Sequence, residues 1–165
     1  MGDDGVWVFD SDPDEDDIKK TVSELGFKLN ADKTLYREGG CHFLQRLHEM
    51  SYAPDGLARG VRSLQRTLNR IIRRERMPRP GWNPWLEATR ALMQLENCAW
   101  HPQIGELIAF VAAGYPLLSS YPPEEIFRRA GGATVIEEAL EITAFPYGRP
   151  DPRKVNEFRI LGHMR

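Results

Sequence analysis

The sequence is short of cysteine. Cys41 and Cys98 are the only two, and neither sits in a CxxC spacing. That excludes a disulfide-framed small scaffold and a cysteine zinc site, and it makes a reducing compartment the default. No apolar run nears the roughly 20 residues that span a bilayer, so no membrane segment is expected. The first residues are acidic where a secretory leader is basic ahead of an apolar core, so no signal peptide is expected. His42, His48, His101 and His163 are scattered and read as ordinary surface or polar-core histidines. No internal repeat is visible. The first seventeen residues also lack any base: they hold eight Asp and Glu and no Lys or Arg.

What is present suits one ordinary domain, or a piece of a larger one: 165 residues, 41% hydrophobic and 28% charged, a balance of folded chains and not of disordered ones. The net charge of −2 hides a segregation. After the acidic head, residues 59–79 carry Arg59, Arg62, Arg66, Arg70, Arg73, Arg74, Arg76 and Arg79 against the single acid Glu75. An acidic head and a basic middle fit a protein that holds metal at one place and a polyanion at another. A solvated helix face is the plainer alternative.

Gly2-Asp3-Asp4 followed by Gly5-Val6-Trp7-Val8-Phe9 suits the tip and second strand of a β-hairpin, with one carboxylate facing each way. Carboxylates held at a rigid turn suit Mg²⁺, a hard cation that takes oxygen ligands; Asp and Gly are also the commonest turn formers. Asp10, Asp12 and Asp14 imitate an EF-hand loop, but Glu15 stands where its glycine belongs and Thr21 where its final Glu belongs. The better reading is a helix over about 14–25, capped by Ser11 or Asp12, with Pro13 at its first position and Gly26 as its stop. Ile18, Val22 and Leu25 form its apolar face. Short strands are predicted at Phe27–Leu29 and Cys41–Leu47, with an extended stretch at Thr34–Arg37 and turns at Asn30–Lys33 and Glu38–Gly40.

From about residue 58 the pattern turns helical. Val61, Leu64, Leu68, Ile71 and Ile72 give one apolar stripe. Arg62, Arg66, Arg70 and Arg73 recur at i, i+4, i+8 and i+11, which on one continuous helix makes a basic stripe beside it. A second helix over about 83–98 buries Leu86, Leu92, Met93 and Leu95, with Trp82, Trp85 and Trp100 as aromatic packing at its ends. A third carries Ile104, Leu107, Ile108 and Val111 and is stopped by Gly114 and Pro116. A fourth starts at Pro122–Glu125, and a fifth runs from Ala133 to Ile142. The tail from 146 is rich in Pro, Gly and charge; partial disorder is expected there, with a short helical stretch at Lys154–Leu161.

The order of these motifs resembles the C-terminal part of a viral RNA-dependent RNA polymerase. Gly2-Asp3-Asp4 looks like palm motif C. The helix ending at Gly26, with Phe27-Lys28-Leu29-Asn30-Ala31-Asp32-Lys33, looks like motif D and its lysine. Phe43-Leu44-Gln45-Arg46-Leu47 looks like motif E. The helical remainder is similar to the thumb of picobirnavirus- and partitivirus-like double-stranded RNA viruses, through Arg62–Asn69 and Leu95–Pro102. The resemblance covers about residues 1–115.

It implies an α+β fold: a partial palm at 1–57, short antiparallel strands with one packed helix, then an all-helical thumb at 58–145 and a tail at 146–165. It implies template-directed nucleotidyl transfer, with Asp3 and Asp4 as ligands of Mg²⁺ (Mn²⁺ as the substitute ion) and Lys33 as general acid or electrostatic partner of the triphosphate. Phe43, Gln45 and Arg46 would support the primer, and Arg62, Arg66, Arg70 and Arg73 would lie along the phosphates of the nascent duplex. The implied partners are an RNA template, nucleoside triphosphates and an upstream polymerase portion carrying motifs A and B and the fingers, in the host cytoplasm or the virion interior. Those motifs are absent from this sequence, so the chain alone is expected to be inactive. The competing readings are a non-catalytic basic helical RNA-binding protein, and a protein-interaction module facing an acidic partner.

Overall fold

The computed structural model describes residues 5–30, 32–52, 55–74, 77–78, 80–139 and 151–164. The chain is a mostly helical α+β protein, as expected, and it divides into two compact units between Gly60 and Val61.

In the first unit, helix α1 (Glu15–Glu24) is made by its ends. The Asp14 carboxylate accepts the amides of Asp16 at 2.8 Å and Asp17 at 3.4 Å, and Glu15, Asp16 and Asp17 crowd the positive end of the dipole. The cap is therefore Asp14, not Ser11 or Asp12, and Pro13 stands one residue ahead of it. At the other end Gly26 (φ 81°) donates to the Ser23 carbonyl at 2.9 Å and Phe27 to that of Val22 at 3.0 Å. This paired closure requires a left-handed residue, which glycine supplies without strain. Val22 is buried and Ile18 half-buried, but Leu25 is 69% exposed, because the helix ends before it and Leu25 only caps.

The predicted strand at Gly5–Phe9 has no regular structure, and Val6, Trp7, Val8 and Phe9 are exposed. Alternation makes a segment fit for a sheet, but a strand exists only where a neighbour takes its backbone hydrogen bonds, and no described strand lies beside it. Phe27–Leu29 and Thr34–Arg37 are irregular for the same reason. The single strand predicted over Cys41–Leu47 is instead a hairpin: β1 (Gly40–Phe43) pairs antiparallel with β2 (Arg46–Glu49), Cys41 opposite His48 and Phe43 opposite Arg46. Leu44 (φ 48°) and Gln45 (φ 62°) form the two-residue turn, both in the left-handed region that such hairpins need. A third strand, β3 (Gly60–Val61), extends the sheet in the order β1-β2-β3.

The second unit is built around α3 (Pro84–Glu96). Asn83 accepts the Leu86 amide at 3.0 Å and Pro84 pre-sets the first helical turn. Leu86, Leu92, Met93 and Leu95 are buried as the periodicity predicts, together with Ala88 and Ala91. Around it pack α2 (Leu64–Ile72), α4 (Ile104–Gly114), α5 (Pro116–Ser120), α6 (Pro123–Arg129) and α7 (Gly132–Ala139). Ile104, Leu107, Ile108 and Val111 are buried on α4. Pro116, read as a stop, also opens α5, since proline fits a first helical turn as well as it ends a preceding one. Val61 is buried on β3 instead of on a helix. Residues 140–142 of the predicted fifth helix and 146–150 of the tail lie outside the described residues.

Two 3₁₀ turns, Pro152–Glu157 and Arg159–His163, bury Phe158, Ile160 and Leu161. The Glu96 carboxylate fastens them by accepting the amides of Arg159 at 3.1 Å and Ile160 at 3.2 Å. The half-buried tryptophans are packing elements, as predicted. Trp85 meets Tyr121 edge-on at 5.0 Å, and Trp100 lies under the Arg159 guanidinium at 3.6 Å.

Candidate functional site

The sequence-predicted residues fall on three short pieces of structure. Asp3 and Asp4 lie outside the described residues. Lys33 closes a turn in which the Asn30 carbonyl accepts the amides of Lys33 and Thr34, each at 3.0 Å, and the Asn30 side chain accepts the Asp32 amide at 3.1 Å. This turn is where the sequence puts it, and it leaves the Lys33 side chain exposed.

The hairpin carries Phe43, Gln45 and Arg46. Phe43 and Arg46 face each other across the ladder as its last pair, and Gln45 stands exposed on the turn. The Arg46 guanidinium donates to the Gly60 carbonyl at 3.0 Å, and the His48 ring nitrogen Nδ1 lies 3.2 Å from the Ala58 carbonyl. Gly60 is a close-approach glycine: a Cβ there would stand 2.7 Å from the His48 ring and 3.0 Å from Arg46 Cδ. No motif marks this glycine in advance; its role comes from the packing of β2 against the returning chain.

In the second unit the predicted stripe of four arginines is shorter than expected. Only Arg66 and Arg70 lie on α2. Ser63 is the N-cap, accepting the Arg66 amide at 3.1 Å, so Arg62 precedes the helix and donates instead to Gln94 on α3 at 3.1 Å. Arg73 is the C-cap, with extended backbone. The cause is local: a serine cap and a short apolar run fix nine helical residues, too few for the i to i+11 recurrence. Arg74 is also engaged, paired with Glu87 at 2.8 Å and stacked 5.3 Å from the Trp82 ring. Arg59 pairs with Asp55 at 2.5 Å.

Sequence reasoning missed the cluster behind α2. Arg90 on α3 donates to the carbonyls of Arg70 and, at 2.5 Å, of Ile71, and it pairs with Glu87 at 2.5 Å. Tyr115 also donates to the Ile71 carbonyl, at 3.1 Å, and Trp82 donates to Glu87 at 3.0 Å. Burial pushes the Glu87 carboxyl up, but the bonded Arg90 with Arg74 and Trp82 outweighs it and holds the group below its ordinary value. The available signal was one arginine inside the run Ala88-Thr89-Arg90-Ala91-Leu92, where a charge on a buried helix face needs partners.

Among the described residues no group of three or more His, Cys, Asp or Glu is placed to hold a metal ion. Asp3 and Asp4, as adjacent oxygen donors, have the right chemistry for Mg²⁺ but would supply only part of a ligand set.

This fold is similar to that of part of a viral RNA-dependent RNA polymerase. The chain is homologous to a C-terminal portion of such an enzyme from picobirnavirus. It is 32% identical over 115 residues, 69% of its length, to a potential RNA-dependent RNA polymerase of human picobirnavirus (strain Human/Thailand/Hy005102/-), of which the match spans 21%. The crystal structure of the RNA-dependent RNA polymerase of a human picobirnavirus superposes with a TM-score of 0.69 at 22% identity, covering 92% of this chain and 29% of that one. An insertion-loop deletion mutant of such a polymerase gives a TM-score of 0.51 at 27% identity, covering 77% and 27%. The chain thus spans well under half the length of the relatives it matches. No family model matches it.

Proposed function

We propose that this chain is the palm-end and thumb portion of an RNA-dependent RNA polymerase that copies viral RNA by template-directed nucleotidyl transfer. The observation that carries the reading is the 32% identity over 115 residues to a picobirnavirus polymerase. Residues 1–57 would complete a palm, 58–145 would form the thumb, and 146–165 its tail. Asp3 and Asp4 would hold Mg²⁺ or Mn²⁺, whose bound charge assists both the attacking hydroxyl and the leaving pyrophosphate. The exposed Lys33 would meet the triphosphate as proton donor or as charge. The hairpin, through Phe43, Gln45 and Arg46, would support the primer end, and Arg66 and Arg70, with Arg62 and Arg73 flanking the helix, would neutralise duplex phosphates without reading sequence. The partners are template RNA, nucleoside triphosphates and the upstream polymerase portion, met in the host cytoplasm or the virion interior. Exposure of Trp7, Val8, Phe27 and Leu35 supports a first unit that is completed by further protein.

Primer extension tests this. The chain alone gives no product with Mg²⁺ or Mn²⁺. Supplying upstream polymerase sequence in cis or in trans gives activity that Asp3→Ala abolishes and Lys33→Ala slows by roughly 10²–10⁴-fold. Robust extension by the isolated chain overturns the assignment.

A further inference from the structure

We propose that Arg90, which no motif marks, is the positioning residue of the RNA-facing helix: its guanidinium fixes the C-terminal end of α2 and so the direction in which Arg66 and Arg70 stand. The inference rests on the reading of α2 as a phosphate-contacting helix.

Helix α2 has nine residues, a length at which an isolated helix is marginal in water, so its ends decide whether it persists. Its start is held by Ser63. At its end Arg73 turns to extended backbone (φ −110°, ψ 126°), which takes the chain out of the helix and leaves the carbonyls of its last turn, those of Arg70 and Ile71 among them, to be met from elsewhere. Arg90 supplies both bonds from the neighbouring helix. The planar fork of one guanidinium stands in for the missing turn and places positive charge at the negative end of the dipole. Glu87 holds the fork from behind, and Tyr115 adds a second donor to the Ile71 carbonyl from the start of α5. The Arg90 side chain is only 12% exposed, so it serves α2 from within the unit, whereas Arg66 is exposed. A lysine cannot replace it: one ammonium does not span two successive carbonyls and a carboxylate in a plane.

The test uses the full chain and a non-specific RNA duplex, with log affinity measured against log salt. Arg66→Ala/Arg70→Ala lowers the slope by about one unit for each phosphate that is no longer neutralised. Arg90→Met and Arg90→Lys each weaken binding roughly tenfold and lower the slope in the parent, but change little in the Arg66→Ala/Arg70→Ala background, because they act through those side chains. Amide exchange over 64–72 rises in both variants while that of α3 and α4 holds. Tyr115→Phe shows the same pattern at smaller size, and it carries the test should Arg90→Met loosen the whole unit. Equal losses for Arg90→Met in both backgrounds would make Arg90 a direct RNA ligand in its own right and overturn the positioning role. So would an unchanged slope in Arg90→Met while Arg66→Ala/Arg70→Ala lowers it. An unchanged slope in Arg66→Ala/Arg70→Ala overturns the underlying reading of α2, and the proposal with it.

Discussion

The two units hold their shape by different means. In residues 5–60 Val22 is the one described apolar side chain that is buried, while Trp7, Val8, Leu25, Phe27, Leu35 and Leu44 are more than half exposed. What order there is comes from local bonds: the Asp14 cap, the Gly26 closure, the Asn30 turn and the two-residue hairpin. The described residues from Val61 onward instead share one core reaching to Leu161, with Leu92, Leu95, Ile126, Ile136 and Ile160 fully enclosed. Burial at about 25 cal/mol per Å² is the dominant favourable term in folding, and the second unit has it where the first does not. The first unit leaves most of its large apolar side chains exposed; the second encloses most of its own.

The largest expected effect breaks this contrast if it fails. Leu92→Ala should cost about 2–5 kcal/mol in urea unfolding, whereas Leu25→Ala should fall within about 0.5 kcal/mol of the parent. Similar losses at both sites would mean that the first unit has a core of its own.

A pH series sharpens the contrast, because the second unit also encloses charge. Glu87 titrates below its ordinary value in the folded chain, so its contribution is present above the unfolded carboxylate value and lost as pH falls through the folded one. The urea midpoint should therefore fall between about pH 5 and about pH 3, and Glu87→Gln should flatten that limb. Glu96 has the opposite sign. Burial raises it, so its contribution is present below the unfolded value and lost as pH rises through the folded one. Glu96→Gln should remove that opposing trend, and an unchanged acid limb in Glu87→Gln would show that the Arg74–Glu87–Arg90 cluster contributes nothing net.

The smallest effect concerns the core's own imperfection. Among the described residues the buried Thr67 and Thr89 hydroxyls have no hydrogen-bond partner. Thr67→Val keeps the shape and removes the unpaired group, and should leave stability unchanged or raise it by about 1 kcal/mol. A clear loss, measured by thermal unfolding, would reveal a partner for that hydroxyl.

The same contrast explains what the sequence made legible. Helices that bury a face announce it: Leu86, Leu92, Met93 and Leu95 on α3, and Ile104, Leu107, Ile108 and Val111 on α4, lie where periodicity puts them. The sheet was less legible because its information is not local. Gly5–Phe9 has strand chemistry and no described partner strand, and the 40–49 hairpin turns on Leu44-Gln45, which carries none of the Asn or Gly that such a turn favours. The polymerase kinship, though not the role of any residue, was legible in the order of Gly2-Asp3-Asp4, Phe27–Lys33 and Phe43–Leu47 ahead of the helical stretches Arg62–Asn69 and Leu95–Pro102. The arginine stripe was overdrawn because helical spacing says nothing of where a helix ends, and Ser63 and Arg73 end this one.

The Leu44-Gln45 turn also makes the hairpin a counter of residues. A two-residue loop admits a single register, and side chains alternate faces strictly along a strand. Arg46 and His48 reach the Gly60 and Ala58 carbonyls only because two residues, and not three, separate β1 from β2. One inserted codon at the turn would leave composition, charge and hydropathy almost untouched. If the loop then stayed at two residues, the residue before Arg46 would stand where Arg46 now stands, and Leu47 where His48 does. Insertions and deletions should be scarcer at this exposed tip than its exposure alone suggests.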